Sequence, residues 1–196
     1  IGGSLILFAL RAPVLKPGWL FAPVSREGGL VLNNVLLAAA TATVLLGTLY
    51  PLAIDVISGG SDKVSVGPPF FNATFGPIMV PLLLALSIGP LLAWKRGELA
   101  PALYKLLPAA ATGVVVTILA FLLAPSGPVL APFGLGLSAW LVVGALTGLA
   151  ERIRFAQLPI PQSLRRLAGL TRGAFGLALA HAGIGVVVAG ISGAAR

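Results

Sequence analysis

The sequence predicts an all-α fold, a polytopic membrane helix bundle of five complete transmembrane helices and a partial first one. Three observations predict it. Of 196 residues, 58% are hydrophobic and only 9% charged, against about a quarter charged in soluble domains. The few charges are gathered between long runs that hold none. The 25 Gly and 16 Pro, which would signal disorder in a polar chain, are interleaved with Leu, Val and Ala and read as packing points and kinks.

Taken in order, the first apolar run, 1–10, is too short to span and reads as the end of a longer helix. Arg11 follows it directly, without the basic start and small-residue cleavage site of a signal peptide. Residues 11–28 form a loop with Arg11, Lys16 and Arg26 against Glu27, and Trp19 and Phe21 as interfacial aromatics. Residues 30–54 are the first complete span. Pro51 lacks the N–H that the Gly47 carbonyl needs, which bends the helix near its far end. The next connection has Asp55, Asp62 and Lys63 as its charges, a turn at Ser58-Gly59-Gly60-Ser61, extended backbone at Pro68-Pro69, and Phe70-Phe71 at the interface.

The span 74–94 places Pro77 in its first turn, while Pro81 and Pro90 are deeper and predict kinks. Lys95, Arg96 and Lys105 mark the loop 95–105. Residues 106–150 carry no charge and are too many for one crossing. Ala124-Pro125-Ser126-Gly127-Pro128 divides them into spans 104–124 and 131–150. In the last loop, 151–172, Leu164, Leu167 and Leu170 interleave with Arg165 and Arg166. That pattern suits a short helix on the membrane surface, facing anionic lipid headgroups or a docked soluble protein. The final span is 173–192.

Loops 11–28, 95–105 and 151–172 hold every one of the 13 Lys and Arg except Lys63 and Arg196. The positive-inside rule therefore puts those loops in the cytoplasm and the end of the chain outside. The same distribution explains the net charge of +8 by membrane topology, so no nucleic acid partner is expected. With no cysteine, disulfides, iron–sulfur clusters, thiolate zinc sites and covalent haem attachment to this stretch are excluded. No phosphate loop, metal-ligand cluster or Ser/His/Asp set is present, which argues against a self-contained hydrolase. The spans lack mid-membrane Lys or Glu, which weakens a transporter or channel reading relative to an assembly factor or a structural membrane scaffold.

The residue that asks for a reason is His181, the only histidine, in an uncharged run between Arg172 and Arg196. At about 1.5 Å per residue that run crosses a hydrocarbon core of roughly 30 Å, so His181 lies well below either surface. Its helical neighbours are Ala174, Ala178, Ile184, Gly185 and Val188, a face of mostly small residues that admits another helix or a flat ligand. Neutral imidazole offers one nitrogen to a metal while the other N–H bonds a neighbour. An interhelical hydrogen bond is the competing role.

The remaining motifs are specific as text: Ser25-Arg26-Glu27-Gly28 running into Leu32-Asn33-Asn34, Leu46-Gly47-Thr48-Leu49-Tyr50-Pro51, and Val64-Ser65-Val66-Gly67-Pro68-Pro69-Phe70-Phe71-Asn72. Ile88-Gly89-Pro90-Leu91-Leu92 with Trp94-Lys95-Arg96, and Ala180-His181-Ala182-Gly183, follow in the same order. Across essentially its whole length the chain closely resembles the CcmF family of bacterial cytochrome c maturation haem lyases. Residue by residue, Arg26-Glu27 reads as an ion pair or a functional contact, Asn33 and Asn34 as helix-end bonding groups, and 64–72 as a turn with an aromatic anchor or a surface for haem or apocytochrome.

The resemblance implies a bacterial inner-membrane protein. It implies that haem is taken from a membrane-tethered haem chaperone and joined to the CxxCH motif of apocytochrome c outside the membrane, with thiol-handling proteins presenting the substrate. It further implies a second, transmembrane b-type haem held by two histidines and serving as electron donor, and His181 matches the later of the two. The family's tryptophan-rich external segment, the histidines flanking it and the earlier intramembrane histidine have no counterpart here. The chain, 1–196, is thus expected to be one multi-spanning region of a larger protein, with lyase activity not expected from this section alone.

Overall fold

The structure is a computed structural model that describes residues 2–12, 21–59, 64–124, 127–155 and 157–194. The helices follow in the order α1 (Gly2–Arg11), α2 (Arg26–Ile57), α3 (Pro68–Ile88, prolonged by a 3₁₀ turn Gly89–Leu91), α4 (Leu99–Lys105), α5 (Leu107–Leu123), α6 (Leu130–Ile153), α7 (Ile160–Ala168) and α8 (Arg172–Ala194). Among the described residues there is no strand. By length and apolar composition α2, α3 with its 3₁₀ turn, α6 and α8 each suffice to cross a membrane, and α4 with α5 counts as a fifth, bent span. The chain is an all-α membrane bundle, as its hydropathy predicts. Lys16, Trp19, Gly60, Ser61, Asp62, Lys63, Pro125, Ser126 and Arg196 lie outside the described residues.

Prolines explain where the helices start and bend. Pro68-Pro69, expected to be extended, instead opens α3, where a missing N–H has no partner to lose, and the extended backbone lies just before it at 64–67. Pro77, expected in a first turn, and Pro81 both lie inside α3, and α2 continues through Pro51. Pro90 falls in the 3₁₀ turn that ends α3. The 56° bend between α4 and α5 occurs at Leu106. Pro108 has no N–H to offer the Tyr104 carbonyl, and the Leu106 amide closes on Leu103 O at 3.0 Å instead. Basic side chains extend the helices into what their charge suggested were loops. Arg11, Lys105 and Arg152 occupy last turns of α1, α4 and α6, where the negative end of the helix favours them.

The bundle is held by small residues. Without a hydrophobic force between helices in lipid, packing depends on how closely backbones approach. Side chains at Gly185 would meet Ser138 O of α6 at 3.1 Å and the Val142 side chain at 2.8 Å, and one at Gly136 would meet Gly113 O of α5 at 2.7 Å. Gly144 accommodates Ser87 of α3 in the same way. Gly47 leaves the notch that the rings of Phe70 and Phe71 fill, both within 3.0 Å of where its Cβ would be. The aromatic pair thus anchors α3 to α2. Leu141 and Leu106 are fully buried, while Leu46, Leu122 and Val186 face outward, as lipid permits. α8 lies against α6 and α2 against α3, with α3 and α6 joining the two pairs.

Candidate functional site

The site is built on a clasp at the basic end of the bundle. Ser25, fully buried, caps α2 by accepting the Gly28 N–H at 3.0 Å, an arrangement worth about 1 kcal/mol. The preceding strand of chain is pinned to the segment after α3: Ala22 N–H donates to Lys95 O at 2.8 Å, Arg26 N–H to Ala93 O at 2.9 Å, and Gly97 N–H to Val24 O at 2.8 Å. Gly28 sits so close to Pro23 that a Cβ would lie 2.1 Å from its carbonyl oxygen. The Ser25-Arg26-Glu27-Gly28 motif is therefore a folded joint.

Arg26 and Glu27, one of whose sequence readings was an ion pair, point to different partners. The Glu27 carboxylate accepts the Lys95 N–H at 2.7 Å. Glu27 lies outside the 30–54 span, and this hydrogen bond holds its carboxyl below the ordinary value. The Arg26 guanidinium lies over the Trp94 ring, 4.9 Å from its centroid. Among the described residues the salt bridge is Lys105–Glu151, which ties α4 to α6.

Arg26 then faces inward along a helical stripe. Arg26, Gly29, Leu30 and Asn33 recur at i, i+3, i+4 and i+7 on α2, and Leu82, Ala85, Leu86 and Gly89 do so on α3. Together with Leu177 and His181 of α8 they line a partly open cavity of about 240 Å³. A narrower lobe of about 20 Å³ lies beside it between α3, α6 and α8. Leu86, Pro90, Leu177 and His181 border both lobes, and Arg152 borders the narrow one.

His181 thus stands where the two lobes meet. Its Nδ1–H donates to the Leu177 carbonyl one turn earlier, at 2.7 Å, so the lone pair of the neutral ring is on Nε2. The small face around it divides by depth: Gly185 takes the backbone of α6, while Ala174 and Ala178 leave room in the narrow lobe. Among the described residues no three His, Cys, Asp or Glu groups gather to hold a metal ion. The fit is to one side of a flat ligand: a nitrogen donor, apolar walls, small residues and a cation at the basic end. The main lobe, about 240 Å³, is smaller than a usual ligand pocket of about 300–1,000 Å³.

The sequence singled out His181, and Arg26 only as one of a pair with Glu27; it did not single out Arg152 as a companion of His181. The signal for Arg26 was the period of the Arg26–Asn33 stripe, which becomes legible only once α2, α3 and α8 are set side by side. Asn33, expected to bond a helix end, makes a weak 3.5 Å contact to Asn34 and borders the cavity. The 64–72 segment supplies the aromatic anchor in Gly47.

Comparison with known proteins gives a consistent set of relatives. The chain is 54% identical over 191 residues to the cytochrome c-type biogenesis protein CycK of Rhizobium meliloti. It is 42% identical over 200 residues to the cytochrome c-type biogenesis protein CcmF of Pseudomonas aeruginosa and 37% identical over 193 residues to CcmF of Escherichia coli. These alignments cover 97–98% of this chain and 28% of each relative. No family model and no solved structure matches the chain.

Proposed function

We propose that this chain, homologous to a section of the CcmF and CycK cytochrome c-type biogenesis proteins, works in cytochrome c maturation as the wall of an intramembrane haem site. In the full-length protein, acting as a haem lyase, His181 would be one of the two histidines that hold a b-type haem, the second lying outside 1–196. The haem, when bound, supplies electron transfer toward the haem iron that is to be attached. The residues of this chain hold and orient it: Leu177 fixes the imidazole tautomer, Ala174 and Ala178 leave space for the ring, and the Leu82–Leu86 stretch keeps water out.

The observation that carries this proposal is the His181 ring, whose Nδ1–H is bonded to Leu177 O at 2.7 Å while the ring borders a cavity. An imidazole serving only as an interhelical link would instead reach a neighbouring helix. The partners in this reading are a membrane-tethered haem chaperone, apocytochrome c with its CxxCH motif, thiol-handling presentation proteins and the lipids of the bacterial inner membrane. The loops 11–28, 95–105 and 151–172 face the cytoplasm, and the end of the chain faces the periplasm.

Replacing His181 by Ala in the full-length protein is expected to reduce the yield of covalently attached cytochrome c by an order of magnitude while the protein stays inserted. The measurement is haem staining of denatured cytochrome beside quantified membrane levels of the variant. An unchanged yield at equal membrane level contradicts the proposal.

A further inference from the structure

We infer that Arg26 binds a propionate carboxylate of the ring that His181 ligates, and so fixes which edge of the ring faces the basic surface. The inference rests on the haem reading above and adds to it a second anchoring point, on a different helix. It starts from an unmatched charge. Arg26 borders the same cavity as His181, and no Asp or Glu borders either lobe. Glu27, the nearest carboxylate in sequence, is committed to the Lys95 N–H. Among the described residues Arg26 has no ion-pair partner; its side chain has the Trp94 ring, 4.9 Å away, and its backbone the Ala93 carbonyl.

Stacking on an aromatic ring holds the guanidinium plane but leaves its edge donors unspent. A partly buried cation with free donors, beside apolar walls, favours an anionic group, because a carboxylate recovers hydrogen bonds that the cavity walls cannot offer. The layout of the cavity selects the kind of anion. Its charge is at the basic end of the bundle, Asn33 adds an amide two turns along α2, or roughly 10 Å, and the nitrogen donor of His181 is set among apolar residues. A ligand matching that order has carboxylates on one edge, a wide apolar body and a metal at its centre. Iron protoporphyrin has this form. A second cation, Arg152, borders the narrow lobe with His181.

The test titrates the full-length apoprotein in detergent with iron protoporphyrin and, separately, with its dimethyl ester, following the Soret band. The free acid is expected to bind about ten- to a hundredfold more tightly than the ester, the range of a charge-assisted hydrogen bond. Arg26→Gln is expected to shrink that preference by about tenfold while leaving ester affinity unchanged, and Arg26→Lys to keep part of it. Arg96→Gln, which removes a charge of the same segment that borders neither lobe, is expected to leave it intact. Equal binding of acid and ester by the unaltered protein overturns the assignment without any variant having to fold. A preference that survives Arg26→Gln also overturns it, and co-purified anionic phospholipid lost only in that variant would then give the guanidinium to a lipid phosphate. If neither porphyrin produces a histidine-ligated Soret band, the haem reading fails and the Arg26 assignment with it, an outcome distinct from failure of Arg26 alone.

Discussion

At the residue scale, the most specific features are single side chains that hold the clasp. Glu27 accepts the Lys95 N–H, and its carboxyl is lowered by that bond from an ordinary value of 4.5. A carboxyl whose folded value lies below its unfolded value stabilises the fold at pH above the unfolded value and loses that contribution as pH falls through the folded one. Protection of the Lys95 amide against hydrogen exchange is therefore expected to exceed that of Glu27→Gln at neutral pH. The difference closes only below 4.5. A difference that instead persists unchanged to strongly acid pH contradicts the role of the carboxylate. His181 was legible from sequence because a lone ionisable group in an uncharged run is costly and conspicuous. Arg26 was legible only as half of an ion pair or a functional contact with Glu27, and the positions of Trp94 and Lys95 part the two side chains.

At the scale of elements, the spans were legible because charges are excluded from lipid, and uncharged runs therefore mark crossings. Helix ends were less so. Pro68-Pro69 suits both extended backbone and a first helical turn, and only the aromatic pair that follows, docked in the Gly47 notch, decides for the turn. The bend at Leu106 has no glycine to announce it and comes from Pro108, two residues on. These motifs give a direct test of α2–α3 packing. Gly47→Ala places a Cβ 2.9 Å from both the Phe70 and Phe71 rings and is expected to destabilise the protein by about 1–3 kcal/mol. Pairing it with Phe71→Leu, which relieves the clash, is expected to recover part of that loss. Thermal unfolding in detergent measures both, and an unaltered midpoint for Gly47→Ala would contradict the notch.

For the whole molecule, the account joins a topology to a site. The proposed orientation puts the basic clasp, Arg26 and Arg152 on the cytoplasmic face, so cysteines at Ser65 and Gln162, both exposed, should differ. A membrane-impermeant reagent added outside is expected to label Ser65→Cys and not Gln162→Cys, and the reverse pattern would invert the bundle. The fold class needed only the distribution of charge, whereas the cavity needed three helices in register, which no single stretch of sequence encodes. The central claim, that His181 ligates haem within the membrane, is tested most directly by the reduced-minus-oxidised visible spectrum of the purified full-length protein. The account predicts b-type Soret and α bands that are strongly diminished in His181→Ala and partly restored in His181→Gly by added imidazole. Bands of full intensity and unchanged position in His181→Ala would contradict it.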